Sequence, residues 1–165
     1  MRFSLALAIL PTLFSFELLC AQDVPRGWHL LDETQDHHYG ISLSKAYQFL
    51  KEKNQPIALG SASKNARPIL EKTGILHYFD AIVDGNDVSN AKPDPEVFLI
   101  AAKLLKTDPK DAIVFEDSVA GIQAANIGNM VSIGIGEKSI LEEAQYIFKD
   151  FTQIEKSFIE QLINA

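Results

Sequence analysis

One cysteine, Cys20, is all that this 165-residue chain contains, so no intramolecular disulfide can staple it. With 9 Gly and 7 Pro it also lacks the composition of a collagen-like or low-complexity chain. Basic residues are in deficit: 15 Lys and Arg stand against 22 Asp and Glu, a formal net charge of −7. No Lys/Arg run exceeds a pair, so the electrostatic footprint of a nucleic-acid binder is missing. Nor does any apolar run reach the roughly 20 residues that a comfortable membrane span needs. What is present is ordinary globular composition, 47% apolar and 22% charged, and a chain of this size can bury roughly 70% of its unfolded surface without covalent help. A net negative protein can still carry a locally positive pocket, which keeps small anionic ligands in view.

The ends of the chain differ in character. Arg2 precedes an apolar run from Phe3 to Phe16, followed by Leu18, Leu19, Cys20 and Ala21. That order of charge, apolar stretch and small residue is the order of a secretory signal peptide, and a buried helix or strand is the alternative. Residues 22–41 read as an irregular leader, polar and without periodicity, in which His37 and His38 sit in an acidic stretch. Adjacent histidines point apart on any regular element, so a solvated loop or a pH-sensitive patch competes with metal binding there. The stretch Gly27-Trp28-His29-Leu30-Leu31-Asp32, with Tyr39-Gly40-Ile41-Ser42-Leu43-Ser44-Lys45-Ala46-Tyr47, resembles the leader of secreted subtilisin-like peptidases. None of that family's catalytic motifs follows it.

From Ser42 the chain becomes regular, and 42–165 is expected to be one α/β domain. Leu43, Ala46, Tyr47 and Leu50 repeat at helical spacing. Pro56 to Leu59 reads as a strand ending at Gly60-Ser61, and Ala66 to Lys72 as a helix closed by Gly74. Ala81-Ile82-Val83 is a second strand, and Asp94-Pro95-Glu96 supplies a cap and first turn for a helix through Leu105. A strand over 112–115, a helix over 118–126, a strand over 130–135, a short helix over 140–144, a weak strand over 146–148 and a closing helix over 154–163 complete the series. Short apolar strands alternating with helices predict a parallel sheet covered on both faces.

In such sheets ligands gather beyond the carboxyl ends of the strands. There stand Ser61-Ala62-Ser63-Lys64-Asn65 after the first strand, Ala91-Lys92-Pro93 past the second, and Glu116-Asp117-Ser118 after the third. Each has a plain reading: Ser61 and Ser63 as helix caps, Lys92 as a solvated loop lysine, Glu116 and Asp117 as acids favoured at a helix start. Taken together they suggest more. Two carboxylates about 4 Å apart in a partly shielded site repel by about 4 kcal/mol, which calls for a cation, and hard oxygen ligands suit Mg²⁺. A lysine and a serine hydroxyl beside them would serve a phosphoryl group.

The segments Ala58-Leu59-Gly60-Ser61-Ala62-Ser63-Lys64-Asn65, Ala91-Lys92-Pro93-Asp94-Pro95-Glu96-Val97-Phe98 and Phe115-Glu116-Asp117-Ser118-Val119-Ala120-Gly121-Ile122-Gln123-Ala124 resemble the core of the haloacid dehalogenase superfamily, in its β-phosphoglucomutase-like branch. The resemblance covers residues 56 to about 150. It implies a three-layer HAD-like (Rossmannoid) parallel sheet with helices on both faces. It further implies that Ser61 and Lys92 hold the transferring phosphoryl group, that Ser63, Lys64 and Asn65 contact the sugar phosphate, and that Glu116 and Asp117 help to bind Mg²⁺. The implied reaction interconverts β-glucose 1-phosphate and glucose 6-phosphate through a phosphorylated aspartate. The family's Asp-x-Asp-Gly motif, which ends its first strand and carries that nucleophile, occurs nowhere in this sequence. Asp84-Gly85-Asn86-Asp87 stands at the wrong place in the order and reads as a turn. The resemblance therefore implies a core truncated at the N-terminus, with the first strand and cap missing and unpaired sheet edges left behind. The expected outcome is a phosphotransferase inactive as this chain. The alternatives are a phosphatase fragment of the same superfamily or a non-enzymatic remnant that binds phosphate or Mg²⁺. The mutase-like part implies a cytoplasmic setting and the leader an exported one, as if two genes met near residues 53–56.

Overall fold

The helical repeat of Leu43, Ala46, Tyr47 and Leu50 is realised in the computed structural model, which describes residues 43–164 and winds Leu43–Glu52 into helix α1. The signal-peptide-like segment 1–21, the leader 22–41 and the His37-His38 pair lie outside the described residues. Strand β1, Ala58–Gly60, follows. It pairs in parallel with β2, Ala81–Val83, in the register Ala58↔Ala81, Leu59↔Ile82, Gly60↔Val83. Between them runs α2, Ala66–Thr73, which ends at Gly74 with φ 74°. That left-handed conformation costs glycine little, and it turns the Gly74 N–H back onto the Glu71 carbonyl and the Ile75 N–H onto that of Leu70.

Helix α3, Glu96–Leu105, begins where the Asp94 carboxylate accepts the Glu96 N–H at 2.9 Å. Strand β3, Ile113–Glu116, leads to α4, Val119–Ile127, whose N-cap Ser118 accepts the Gly121 N–H at 3.1 Å. Strand β4, Val131–Ile135, pairs in parallel with β3 and with β5, Tyr146–Phe148, and α5, Lys156–Ile163, closes the fold. Among the described residues no helix is long and apolar enough to cross a membrane.

Two expected helices differ. Residues 140–144 form successive turns, in which Ile140 and Leu141 N–H groups reach the Glu137 carbonyl. So short a helix gains little from its own hydrogen bonds, and Leu141, 2% exposed, anchors the segment as a loop plug instead. The closing helix starts at Lys156 rather than Ile154, because Ile154 and Glu155 are extended after a 3₁₀ turn at Phe151–Gln153.

The strands form two sheets, β1-β2 and β3-β4-β5, and among the described residues β1 and β3 are not paired with each other. Apolar packing joins what hydrogen bonds do not. Helix α3 packs on β1 and β2 and meets α4, which packs on β3 and β4. One core cluster accordingly contains Val83 of the first sheet, Val114 of the second, and Val97, Phe98, Ala101 and Ala102 of α3. Burying a Val or Phe side chain contributes about 1.5–3 kcal/mol, against about 1 kcal/mol net for one hydrogen bond. The core can therefore hold the two sheets without a shared ladder. β1 is half-buried along its whole length, whereas Ile82 and Val83 of β2 are buried. Phe115, on the opposite side of β3 from Val114, stacks at 5.9 Å on Phe151, and both rings remain exposed, at 41% and 62%. Helices α1 and α5 meet through Lys53–Glu160 at 2.7 Å and the Lys156 ammonium over the Phe49 ring.

Candidate functional site

The loops leaving β1, β2 and β3 touch one another in sequence around one rim. Ser61 extends the β1-β2 ladder by one bond, its N–H donating to the Val83 carbonyl at 2.9 Å. Beyond it the chain makes two overlapping serine turns: Ser63 N–H donates to Ser61 Oγ at 3.1 Å, and Asn65 N–H to Ser63 Oγ at 3.2 Å. Each hydroxyl accepts, and keeps its own proton to donate. Neither serine caps α2 from the N-cap position, which Asn65 occupies without a side-chain bond.

The turn after β2 lies against this loop. Gly85 N–H donates to the Ser63 carbonyl at 3.2 Å, and a Cβ on Gly85 would stand 2.5 Å from the Ala62 carbonyl oxygen and 3.0 Å from the Lys64 nitrogen. Only glycine permits that approach. Asp87 is held below the usual carboxylate range, first by the N–H of Asp84 that donates to it and then by the Arg67 guanidinium beside it.

Lys92, joined to Pro93 by a cis peptide, lies 4.6 Å above the Phe98 ring and forms an ion pair with Glu116 of β3. Their side chains are 14% and 9% exposed. The second oxygen of Glu116 accepts from Asp117 N–H at 3.1 Å, Ser118 N–H at 3.2 Å and Ser118 Oγ at 2.9 Å. This folded-back carboxylate lies over the first turn of α4, where a Cβ on Gly121 would collide with it. An isolated glycine within a helical pattern is the sequence signal for such a close approach. In the sequence Gly121 stands within the third resembling segment with no role of its own, Asp84 and Asn86 read only as a turn, and Arg67 only as part of a helix.

Between the loops is a cavity of about 250 Å³ lined by Ala62, Lys64, Gly85, Val88, Asn90 and Lys92, with Ser89, Ala91 and Val97 completing the wall. Two lysines and no carboxylate line it, on a chain whose net charge is −7. Lys64 makes no ion pair among the described residues. The structure thus brings Lys64 and Lys92 to one cavity and Glu116 to Lys92. Ser61, Ser63, Asn65 and Asp117 belong to the adjoining loops but do not line the cavity.

The donor set bears on Mg²⁺. Both oxygens of Glu116 are engaged, and Asp117 is exposed, its carboxylate without a hydrogen bond or ion pair among the described residues. No group of three or more His, Cys, Asp or Glu side chains among the described residues is placed to hold a metal. Mg²⁺ is held by as few as one or two carboxylates, with waters and phosphate oxygens completing its shell, so the uncommitted Asp117 carboxylate, with Glu116 beside it, is the donor set of this rim that would hold the ion.

Comparison with known proteins follows the same line. The sequence profile of haloacid dehalogenase-like hydrolases matches residues 21–128. The β-phosphoglucomutase of Bacillus subtilis is 42% identical over 88 residues, which are 53% of this chain and 39% of that protein. A fructose-1-phosphate phosphatase of Escherichia coli is 37% identical over 83 residues, 49% of this chain and 44% of its own. The crystal structure of a Clostridium difficile β-phosphoglucomutase superposes with a TM-score of 0.69 at 38% identity, covering 74% of this chain and 55% of that one. The chain thus spans about half, or less, of the length of these relatives.

Proposed function

We infer the function from one premise, that this chain belongs to the haloacid dehalogenase-like hydrolase family and has its α/β fold of parallel strands and helices. It is then a protein of the phosphatase and phosphotransferase class, and enzymes of this superfamily generally use Mg²⁺. Our reading is that it grips a sugar phosphate in the manner of a β-phosphoglucomutase but does not turn it over as this chain. The observation that carries the reading is the cavity lined by two lysines and no carboxylate.

In this reading Lys92, with the Ser61 hydroxyl on the neighbouring loop, binds the phosphoryl group whose transfer the family catalyses, and Lys64 with Ser63 and Asn65 binds the far end of the sugar phosphate. Glu116 orients Lys92 and offsets its charge, so that the site exchanges one partner for another when an anion enters. The sequence has no Asp-x-Asp-Gly to act as covalent acceptor. Phosphate monoesters are among the slowest substrates to react without one.

The test is calorimetry and an activity assay on the full chain. Inorganic phosphate should bind, and Lys92→Ala should abolish that binding. β-Glucose 1-phosphate with Mg²⁺ and glucose 1,6-bisphosphate should give no turnover. Turnover that Lys92→Ala removes would overturn the proposed inactivity, and absence of phosphate binding would overturn the grip.

A further inference from the structure

The turn after β2 is built more heavily than a connection requires. Asp84 is a carboxylate only 1% exposed, an arrangement that persists only where the charge is paired and hydrogen-bonded. Its Oδ2 lies 3.3 Å from Arg67 Nε, and its Oδ1 accepts from Asn86 N at 2.9 Å and Asn86 Nδ2 at 3.0 Å. Arg67, in the first turn of α2, also donates to the Ile82 carbonyl at 2.6 Å and to Asp87 at 3.1 Å. The same Asn86 amide donates to the Lys64 carbonyl at 3.2 Å. A closed circuit results: the loop 61–65 leads into α2, Arg67 of α2 holds Asp84, Asp84 holds Asn86, and Asn86 holds the backbone of Lys64.

The chemistry of the circuit is directional. An ionised carboxylate and a backbone carbonyl can only accept, so both face the amide nitrogen of Asn86 and fix which way that amide points. Gly85 supplies the clearance beneath the loop, and its N–H holds the Ser63 carbonyl.

We propose that Asn86, oriented by the buried Asp84–Arg67 pair, is a positioning residue that sets the Lys64 backbone, aims the Lys64 ammonium into the cavity, and so confers preference for a ligand with two phosphates over one with a single phosphate. The proposal rests on the phosphate-gripping reading above. Asn86 is itself exposed, while its bonds to Asp84 are part-buried, so Asn86→Ala, which adds no charge beside Asp84, is the variant that separates positioning from loss of folding.

The experiment titrates the full chain with glucose 1,6-bisphosphate and, separately, with inorganic phosphate. Asn86→Asp keeps the size of the side chain but removes both N–H donors and sets a charge against Asp84. It should weaken bisphosphate binding about tenfold, the scale of one lost hydrogen bond to a positioned group, and leave inorganic phosphate within about twofold. Asn86→Ala should do the same. Lys64→Met should reproduce the loss, and Asn86→Asp added to Lys64→Met should cost nothing more, because the two act through one side chain. Additive losses, or equal weakening of both ligands, would overturn the positioning role. Wild-type protein that binds neither ligand would instead overturn the phosphate-gripping reading and this proposal with it.

Discussion

Replacing Gly121 by alanine should destabilise this protein, although alanine is the better helix former. In an unencumbered helix interior the exchange gains about 0.5–1 kcal/mol. Here the added methyl group would occupy the space of the Glu116 carboxyl group. Either the first turn of α4 shifts, or the carboxylate swings away from Asp117 N–H, Ser118 N–H and Ser118 Oγ and from Lys92. Overpacking of this kind costs about 1–3 kcal/mol, and hydrogen bonds to a charged group are worth about 1.5–3 kcal/mol each before water replaces them. After the helix-propensity gain is subtracted, a net loss of about 2 kcal/mol is expected. Urea unfolding followed by circular dichroism should show the midpoint falling by about 1 M with an unchanged slope. The sign should invert in a second background: with Glu116→Ala already present the space is free, and Gly121→Ala should raise the midpoint. A midpoint at or above wild type for Gly121→Ala alone would refute the placement of Glu116 over this helix.

Two further outcomes follow from the site's charges. Lys92→Met should cost about 3 kcal/mol by leaving the nearly buried Glu116 unpaired, and Lys92→Met combined with Glu116→Gln should recover most of it; denaturant midpoints of the four proteins check this. Asp87 titrates below the usual carboxylate range of about 3.9 because the Asp84 N–H and Arg67 favour its charged form. A carboxyl group with a folded value below its unfolded one stabilises at pH above the unfolded value, and that contribution disappears as pH falls through the folded one. Asp87→Asn should therefore be less stable than wild type at pH 7, and the difference should close as pH falls through the folded value of Asp87, as thermal unfolding across pH would show.

Much of the fold was legible because local chemistry and tertiary packing agree in this chain. Gly74 reads as a helix end and adopts the left-handed conformation that ends α2. Ala81-Ile82-Val83 reads as a buried strand, and Asp94 caps the first turn of α3. The misreadings came where a longer-range contact prevailed: Leu141 is buried as a plug, so the apolar residues 140–144 serve packing without becoming a helix. Of the site, the rim residues were visible as strand-end side chains of mutually compatible chemistry. Their supports were not. That Asn86 reaches the Lys64 carbonyl, and that Arg67 reaches Asp84, depends on two loops crossing 22 and 17 residues apart in sequence, which no periodicity records.

The split between the two sheets has a mechanical consequence. Lys64 stands on the side of the β1-β2 pair, whereas Glu116, which tethers Lys92, ends a strand of the other sheet. Among the described residues no strand ladder fixes the span between them, and helix α3, seated against both halves, acts as their common fulcrum. A shear that slid apolar side chains over α3 would change that span without breaking a backbone bond. The distance from Lys64 to Glu116 is therefore set by how tightly side chains pack around Phe98 and Ala102.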